Sequence, residues 1–339
     1  MALSAGCGTT APTTNASGAT QGSAQSASSE GSAPTSSFPV TVESCGEPVT
    51  FEKAPTRAVV NDDNMIEMMF ALGLTDNMAA YAAAGPRNRL PEFEDDYAAV
   101  PSLGDDYFSL EPLLGVEPDF VFSGWNYGFS EDKGITPDRL EELGIASYVL
   151  TESCRRVKEG MEPSSVAELE TDIRNLGAIF GVPDRADALI ESWNDRLDAV
   201  QKQLPPESER DQKVFTYLSG TDAPGTAPGL TIVPELNSLA GGANVFADVE
   251  KMWGKVTWEE VVDRNPDVIV VVDYGGATAE DMGENKVAYL KGLPQLQEVE
   301  AVKNDRFLIL PQEAVNPGIR FVDGIEALAA VLYPDAVGG

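Results

Sequence analysis

Thr257-Trp-Glu259-Glu-Val-Val-Asp-Arg-Asn-Pro266-Asp267-Val-Ile-Val270 repeats an earlier stretch of the chain, Ser109-Leu-Glu111-Pro-Leu-Leu-Gly-Val-Glu-Pro118-Asp119-Phe-Val-Phe122. Both copies contain a hydroxyl residue, a glutamate two positions later and a Pro-Asp pair seven positions after the glutamate. A pattern that keeps this spacing twice indicates that two parts of the protein are built from one structural unit.

Each copy predicts a short helix, a tight turn and a buried strand. Ser109 and Thr257 are favourable N-cap residues, and Glu260 completes a capping box with Thr257. Pro118 and Pro266 cannot continue a helix, and the β-branched and aromatic residues that follow favour a strand buried on both faces. Because the copies stand far apart, they indicate two α/β lobes rather than a solenoid, whose period is ~20–50 residues.

Composition excludes several classes of function. The 339 residues suffice for two domains, and 23 Lys and Arg against 55 Asp and Glu give a net charge of −32. This charge argues against nucleic acid or anionic lipid as the main partner. The chain has no histidine, which removes Ser-His-Asp and Cys-His nucleophiles and imidazole metal sites. It also has no Gly-x-Gly-x-x-Gly, Walker-type or Cys-x-x-Cys motif.

The N-terminal residues predict a membrane-anchored tether over residues 1–37. Residues 8–37 are almost entirely Ser, Thr, Gly and Ala, a composition typical of a flexible linker. The preceding Ser4-Ala5-Gly6-Cys7 resembles a bacterial lipoprotein processing site, which implies a lipid on Cys7. The alternative is an incidental cysteine in a disordered terminus.

If Cys7 carries a lipid, the remaining Cys45 and Cys154 form an even set, which favours a disulfide in an exported protein. Such a bridge would close a loop of about 100 residues and stabilise the fold by about 4 kcal/mol in the chain-entropy model. The alternative is two unpaired buried thiols.

The hydrophobic pattern predicts a first lobe over residues 38–163, with a mostly parallel sheet and helices on its faces. Besides the repeat, the strands expected there are a pair within Val40–Phe51 and single strands at Arg57–Asn61, Met78–Tyr81 and Ser147–Leu150. The helices expected are an amphipathic one at Asp63–Leu72 and one at Pro137–Leu143, capped by Thr136.

Residues 164–204 predict linking helices, and residues 205–339 predict a second α/β lobe. The second linking helix has an apolar stripe and about 20 residues, so at ~1.5 Å per residue it would form a rigid rod of ~30 Å. The expected elements are linking helices at Ser164–Phe180 and Pro183–Gln203, strands at Val214–Leu218 and Phe307–Leu310, and helices at Val233–Gly241 and Asn316–Leu332.

Together, the tether, the Arg57-Val-Val first strand, the long helix and the two Glu...Pro-Asp units resemble the helix-linked substrate-binding proteins of ABC importers. This resemblance implies an extracytoplasmic, lipid-anchored monomer that delivers a ferric siderophore, vitamin B12 or haem to a membrane permease. It also implies that Glu111 and Glu259 dock onto basic residues of that permease. Stabilisation of the helix N-termini by the two carboxylates is the simpler alternative.

Ligands of open α/β sheets bind beyond the carboxyl ends of the strands, so the loops there supply the candidate ligand-binding residues. Asp62 or Asp63 could instead cap a helix, Trp125 could pack at the sheet edge, and Arg320 could pair with a surface carboxylate. The candidates are Asn61, Asp62, Asp63, Trp125, Asn126, Tyr127, Tyr217, Ser219, Trp253, Tyr274, Asn316 and Arg320.

The ligand expected first is a neutral or weakly charged ferric chelate of the hydroxamate type. A strongly anionic catecholate would need several cleft cations, and only Arg320, with Arg87 or Arg89, is available. Missing histidines disfavour haem and, more strongly, zinc or manganese. A corrinoid comes second, and another large metabolite third.

Two other classes of function stay open at this point. A glycoside-acting enzyme could use the paired carboxylates of Asp62, Asp63, Asp105 and Asp106, and a surface adhesin would need no cleft. We expect neither, because an overall excess of acidic residues already accounts for such clusters. The sequence thus favours a binding protein with no cofactor, catalytic residue or resident metal.

Overall fold

The computed structural model describes residues 38–85, 89–275 and 282–337. Contacts place all of them within one unit, Ser36–Gly339. None of the helices described has both the length and the apolar character needed to cross a membrane.

The first lobe contains a parallel sheet with strand order β4-β3-β5 and with β7 paired to the other edge of β5, next to the short β6. An antiparallel hairpin, β1–β2, stands beside it. The elements are β1 (Val40–Ser44), β2 (Glu47–Phe51), β3 (Ala58–Asn61), α1 (Asp63–Ala71), β4 (Met78–Ala82), α2 (Glu94–Ala99), α3 (Leu110–Gly115), β5 (Phe120–Trp125), β6 (Gly128–Phe129), α4 (Pro137–Glu142) and β7 (Ala146–Val149).

Two long helices follow, α5 (Val166–Ile179) and α6 (Pro183–Gln203), before the second lobe. Its sheet is parallel throughout, in the order β10-β8-β12-β13, and an antiparallel pair, β9–β11, lies apart from it. The elements are β8 (Lys213–Tyr217), β9 (Gly225–Thr226), α7 (Val233–Leu239), β10 (Ala243–Asn244), β11 (Gly254–Lys255), α8 (Trp258–Arg264), β12 (Val268–Asp273), α9 (Gly283–Gly292), α10 (Glu300–Lys303), β13 (Phe307–Pro311), α11 (Phe321–Leu332) and α12 (Pro334–Val337).

The fold class is therefore confirmed: two similar lobes, each with a mostly parallel sheet flanked by helices. In the repeat, α3–β5 and α8–β12 are the predicted helix–strand units, and Val268–Val272 is buried as expected of a central strand. The domain boundaries at residues 163/164 and 204/205 stay predictions.

The aspartate of each Pro-Asp pair ties its unit to the first strand of its own sheet. Asp119 accepts hydrogen bonds from the backbone N–H groups of Thr56 (2.9 Å) and Arg57 (2.8 Å), directly before β3. In the second lobe, Asp267 accepts one from Lys213 N–H (2.8 Å) at the start of β8. The aspartate N–H groups donate back to the Arg57 and Lys213 carbonyls at 3.1 and 2.8 Å. The same reciprocal bond thus sets the register of the central strands in both lobes.

The cationic side chains of those first-strand residues complete the unit. Arg57 donates from Nε to the Glu117 carbonyl (2.9 Å) behind α3, and Lys213 donates from Nζ to the Arg264 carbonyl (3.1 Å) at the end of α8. A cation at a helix C-terminus satisfies open carbonyls and meets the negative end of the helix dipole.

Several local predictions need correction. Thr257 and Glu260 form the predicted capping box, but the Ser109 side chain makes no capping hydrogen bond. The helix α1 is not amphipathic, because Asp63–Phe70 are all buried. The terminal helix begins at Phe321 rather than at Asn316, because Asn316 stands before Pro317, which disfavours a helical backbone at the preceding residue.

Helix α6 is attached to both lobes. Near its start, Arg185 Nη1 donates to the Leu72 and Gly73 carbonyls of the first lobe (2.9 and 3.0 Å). Further along, Arg196 forms a two-pronged ion pair with Glu326 on α11 (2.9 and 2.6 Å). Its 21 residues span ~30 Å, which suits a rod between two lobes.

The lobes also meet directly through a buried ion pair. Arg320, from the segment before α11, donates from Nε to Glu67 on α1 (2.7 Å) and from Nη2 to the other carboxylate oxygen. Their side chains are 7% and 0% exposed. Beside them, Asn64 Nδ2 donates to the Pro317 carbonyl (2.6 Å). Losing one partner of such a pair costs about 3–5 kcal/mol, because the other charge stays buried, so this contact holds the lobes in register.

A disulfide joins Cys45, in the turn of the hairpin, to Cys154, as predicted, across 109 positions of the chain. It fastens β1–β2 to the segment that follows β7. The hairpin also contacts the helix α5, where Asn175 Nδ2 donates to the Glu43 carbonyl (3.4 Å).

We predict that the double variant Cys45→Ser/Cys154→Ser loses about 4 kcal/mol of unfolding free energy, because its unfolded chain regains the entropy of a long loop. Urea titration of both proteins under oxidising conditions measures the loss. The wild type in excess reductant should match the variant, and equal midpoints for wild type and variant would contradict the prediction.

Glu313 makes stability depend on pH. The residue is 5% exposed, and its Oε2 has no hydrogen-bond partner among the described residues. Burial raises the pKa of Glu313 to about 8, and the charge of Asp63 adds to the rise, whereas Arg320 opposes it. The folded-state pKa of Glu313 lies above that of the unfolded chain, so the protonated carboxyl contributes to the free energy of unfolding. This contribution is fully present below about pH 4.5 and is lost as the pH rises through 8.

We therefore expect Glu313→Gln, which cannot ionise, to lose less stability than the wild type between pH 5 and 8. The difference in unfolding free energy between Glu313→Gln and the wild type should grow by on the order of 1 kcal/mol per pH unit over this range. Urea unfolding across this pH range measures it, with the exposed Glu207→Gln as the matched control. Parallel stability curves for wild type and Glu313→Gln would show that Glu313 does not titrate as described.

Candidate functional site

A cavity of about 180 Å³ lies between the two lobes, beyond the carboxyl ends of β5, β8, β12 and β13. Four of the predicted residues line it: Tyr127, Trp253, Tyr274 and Asn316. This position agrees with the rule that open α/β sheets bind ligands beyond the carboxyl ends of their strands. The remaining lining residues are Tyr107 and Arg156 from the first lobe and Leu218, Val272, Gln312 and Val315 from the second.

Tyr127 is the centre of the polar contacts in this cavity. Its hydroxyl oxygen accepts a hydrogen bond from Trp253 Nε1 of the other lobe (2.8 Å) and one from Arg156 Nη2 (3.1 Å). The Arg156 guanidinium also stands 5.0 Å from the ring centroid. Burial raises the pKa of the Tyr127 hydroxyl, so the group stays a neutral phenol. The Trp253–Tyr127 bond therefore joins the two lobes across the cavity.

Arg156 supplies the positive charge of the cavity. Within the described ranges it forms no ion pair with a carboxylate, and its buried Nε has no hydrogen-bond partner. Arg156 ends the helical turn 151–156, which also contains Cys154 of the disulfide. In a chain of net charge −32, a guanidinium without a carboxylate partner is positioned to receive an acceptor group from a ligand.

Tyr274 gives the cavity an aromatic wall in the second lobe. The ammonium of Lys286 lies 4.3 Å from the centroid of this ring and donates to the carbonyls of Leu218 and Val272 (2.7 and 2.6 Å). Because Leu218 follows β8 and Val272 is next to last in β12, the buried lysine braces the two loops that carry Leu218 and Tyr274.

Asp62 lies behind Tyr107 and caps α1. Its carboxylate accepts hydrogen bonds from Asp63 N–H (3.1 Å) and from the Tyr107 hydroxyl (3.3 Å), and its φ of 77° is left-handed. Burial raises the pKa of Asp62 to about 7, and the charge of Asp63 adds to the rise. The carboxyl therefore positions Tyr107 and does not line the cavity itself.

Asn61 and Asp63 brace the loops beneath the cavity. Asn61 Nδ2 donates to the Tyr127 carbonyl, while its buried Oδ1 has no hydrogen-bond partner within the described part of the chain. Asp63 accepts from Gly85 N–H (2.7 Å) and from the Tyr97 hydroxyl (3.1 Å). Burial raises the pKa of Asp63.

The other predicted ligand-binding residues lie away from this cavity. Trp125 lines a separate groove on the outer edge of the first sheet. Tyr217 packs against Trp258 in the second lobe, with the two ring centroids 5.8 Å apart. Asn126 and Ser219 are exposed but are not among the cavity's lining residues. Arg320 is engaged by Glu67, a buried carboxylate rather than the surface one considered from the sequence.

The cavity also contains three polar residues that the sequence did not predict, Tyr107, Arg156 and Gln312. The signal for Arg156 was present, because Cys154-Arg155-Arg156 places two cations next to a predicted disulfide in a very acidic chain. Arg89, by contrast, stacks on Tyr97 at 4.2 Å and does not line the cavity, and Arg87 and Cys7 lie outside the described residues.

Glu111 and Glu259 are both exposed in the first turns of the equivalent helices α3 and α8. Asp105 and Asp106 are exposed on the loop before α3, apart from the buried Asp63. Within the three described ranges, no three His, Cys, Asp or Glu side chains form a group that could hold a metal ion.

Comparison with known proteins finds relatives along most of the chain. It is 26% identical over 302 residues to an uncharacterised ABC transporter substrate-binding lipoprotein, YvrC, of Bacillus subtilis, which covers 88% of this chain and 87% of the relative. It is also 26% identical over 220 residues to a vitamin B12-binding protein of Yersinia pestis, covering 65% of this chain and 70% of the relative.

The fold resembles a solved structure described as an ABC-type Fe3+-hydroxamate transport system from Saccharomonospora viridis. The TM-score is 0.73 at 26% identity, over 87% of this chain and 99% of that one. Residues 59–314, including most of both lobes, match the family described as periplasmic binding protein. The chain belongs to this family of binding proteins.

Proposed function

We propose that this protein is the substrate-binding component of an ABC importer, capturing a ferric siderophore between its lobes and delivering it to a membrane permease. One observation carries the proposal: an aromatic cavity with one cation among its described lining residues, between the carboxyl ends of the two sheets, in a chain of the periplasmic binding protein family. The name of the Bacillus relative supports the transporter assignment.

The residues of the cavity favour a hydroxamate-type chelate. Tyr107, Tyr127, Trp253 and Tyr274 offer flat apolar faces and hydroxyl groups to a large, partly apolar ligand. Arg156 is the one cation among the lining residues that the structure describes, which suits a neutral or weakly charged ligand better than a strongly anionic catecholate. The Saccharomonospora structure, named for Fe3+-hydroxamate transport, supports the same choice.

Ligand entry requires the cavity to enlarge. Sites for drug-sized ligands usually occupy ~300–1,000 Å³, more than the 180 Å³ found here. The Trp253–Tyr127 hydrogen bond crosses the cavity, so this bond must break and these side chains must separate when a ligand enters. The attachment of α6 to both lobes favours a small movement over a wide hinge opening.

A corrinoid is the second candidate ligand. The relative from Yersinia is named a vitamin B12-binding protein, and the aromatic side chains that suit a ferric chelate also suit a large flat macrocycle. The two candidates differ in their metal, so iron and cobalt analysis of bound protein separates them.

For its location, we propose the outer face of the cell membrane, with a lipid on Cys7 and residues 8–37 as the tether. The Bacillus relative is named a lipoprotein, and the bond between Cys45 and Cys154 suits an oxidising compartment. The protein then works as a tethered monomer.

To deliver the ligand, Glu111 and Glu259 dock the protein onto the membrane permease. The two carboxylates stand at equivalent positions of the repeated unit, one in each lobe, and both are exposed. Matched positions on two similar lobes fit a permease that presents basic residues on two similar halves.

We expect Arg156→Gln to weaken binding of the preferred chelate at least about tenfold, because a charged hydrogen bond to the ligand is lost. Quenching of tryptophan fluorescence measures affinity for a ferric trihydroxamate, a ferric tricatecholate and cyanocobalamin. Arg139→Gln, on the exposed helix α4, is the matched control and should bind as the wild type does. If none of these ligands binds the wild type, the proposed function is wrong; equal affinity of Arg156→Gln and the control would remove Arg156 from the site.

Reversing both docking charges, in Glu111→Lys/Glu259→Lys, should abolish uptake of radiolabelled ligand by cells while affinity in solution stays unchanged. The exposed pair Glu207→Lys/Glu209→Lys changes net charge equally and should leave uptake intact. Normal uptake by the Glu111/Glu259 variant would contradict the docking assignment, and lost ligand affinity would place these residues in the binding site instead.

A further inference from the structure

A second, larger cavity lies on the outer edge of the first lobe, away from the aromatic cavity between the lobes. It is a groove of about 590 Å³ between the hairpin β1–β2 and the edge strand β7. We call it the hairpin groove. Its lining includes Cys45 of the disulfide. It also includes Trp125, a residue that the proposed importer function does not use.

One edge of the first sheet, on β7, faces the groove without a neighbouring strand in the described part of the chain, and Ser147 and Val149 there are 8% and 3% exposed. Among the described strands, β7 pairs only with β5. Ala146 N–H and Leu150 N–H donate toward β5, to the Asp119 and Ser123 carbonyls (3.2 and 2.9 Å). Because backbone groups alternate along a strand, those of Ser147 and Val149 face the other way, toward the groove. Val149 N–H there donates to a side chain, Ser44 Oγ (3.1 Å), in place of a neighbouring strand.

Apolar side chains line the groove beside this edge. They include the Trp125 ring, Val49 of the hairpin and Val157, which is 51% exposed. The four residues of β7 span ~13 Å, the length of an extended segment of about four residues. The groove thus combines a strand edge that lacks a neighbouring described strand with apolar side chains beside it, the two features by which sheets bind extended peptides.

The rim of the groove is acidic. Glu47, Glu131, Asp138 and Glu141 are exposed around it, and the only cation in its lining is Lys158, which lies 3.6 Å from Glu47. Glu131, Asp138 and Glu141 therefore present a negative field to whatever enters, with no cation of the lining paired to them. A basic segment would complement this charge, and an acidic one would be repelled.

We propose that the hairpin groove binds an extended segment of another protein, with alternating apolar and basic side chains, as an added strand on β7. The segment's backbone pairs with Ser147, its apolar side chains contact Trp125 and Val157, and its basic side chains reach Glu131, Asp138 and Glu141. The site is distinct from the ligand cavity and does not depend on the proposed importer function.

Two synthetic peptides test this site, a blocked Lys-Val-Lys-Val-Lys-Val and its Glu-Val-Glu-Val-Glu-Val counterpart. The full-length protein should bind the basic peptide. Binding should change the fluorescence of Trp125 and shift the amide NMR signals of Ser147 and Val149. The acidic peptide should produce neither change. Trp125→Phe identifies the fluorescence that belongs to the groove, since the chain has four tryptophans.

Charge variants separate a site from general attraction to an acidic surface. Glu131→Lys/Asp138→Lys/Glu141→Lys should weaken binding of the basic peptide at least about tenfold. Asp187→Lys/Glu207→Lys/Glu209→Lys changes the same number of exposed acids elsewhere and should bind as the wild type does. Equal weakening in both variants, binding that shifts no amide of β7, or no binding of the basic peptide would each overturn the proposal.

Discussion

The architecture depends on one repeated hydrogen-bond exchange, between the aspartate of each Pro-Asp pair and the residue that leads into the first strand of the same sheet. Asp119 and Arg57 exchange these bonds in the first lobe, and Asp267 and Lys213 exchange them in the second. Each exchange sets two adjacent parallel strands in register at their amino ends. Their carboxyl ends therefore finish at one level, where the loops that carry Tyr127 and Tyr274 emerge.

Two further contacts shape the cavity between the two similar lobes. The buried Glu67–Arg320 ion pair sets the lobes against each other beneath the cavity, and α6 attaches to both. Above that base, the only direct hydrogen bond between cavity-lining side chains of opposite lobes, within the described residues, runs from Trp253 to Tyr127. Breaking the buried Glu67–Arg320 ion pair is costly, whereas breaking the Trp253–Tyr127 hydrogen bond is not. The proposed opening therefore occurs at the aromatic side chains.

Local signals predicted most of the fold. The capping box at Thr257 and the β-branched run of β12 are properties of neighbouring residues and could be read from the sequence. The reciprocal bonds of Asp119 and Asp267 could not, because their partners lie 62 and 54 positions away. The repeat was visible, but the reason for its aspartate was not.

The site was harder to predict, because a residue's place in a loop does not determine where its side chain points. Tyr217 ends β8, but it faces Trp258 on the outer side of the sheet, as alternation along the strand dictates. Arg320 was expected in the cleft, but it pairs with Glu67 instead. The sequence did not reveal this pair because the two residues are 253 positions apart. Arg156 reaches the cavity because the disulfide and the turn 151–156 place it there, which no periodic pattern reveals.

The central claim is that the ligand lies between the lobes, in contact with Tyr127 and Trp253. The most direct measurement is a crystal structure of the protein with a ferric trihydroxamate, with the metal located by anomalous scattering at the iron absorption edge. We expect one strong iron peak in the enlarged cavity, bordered by Tyr127, Arg156 and Trp253. An iron peak in the groove beside Trp125, or anywhere outside the space between the lobes, would contradict this account.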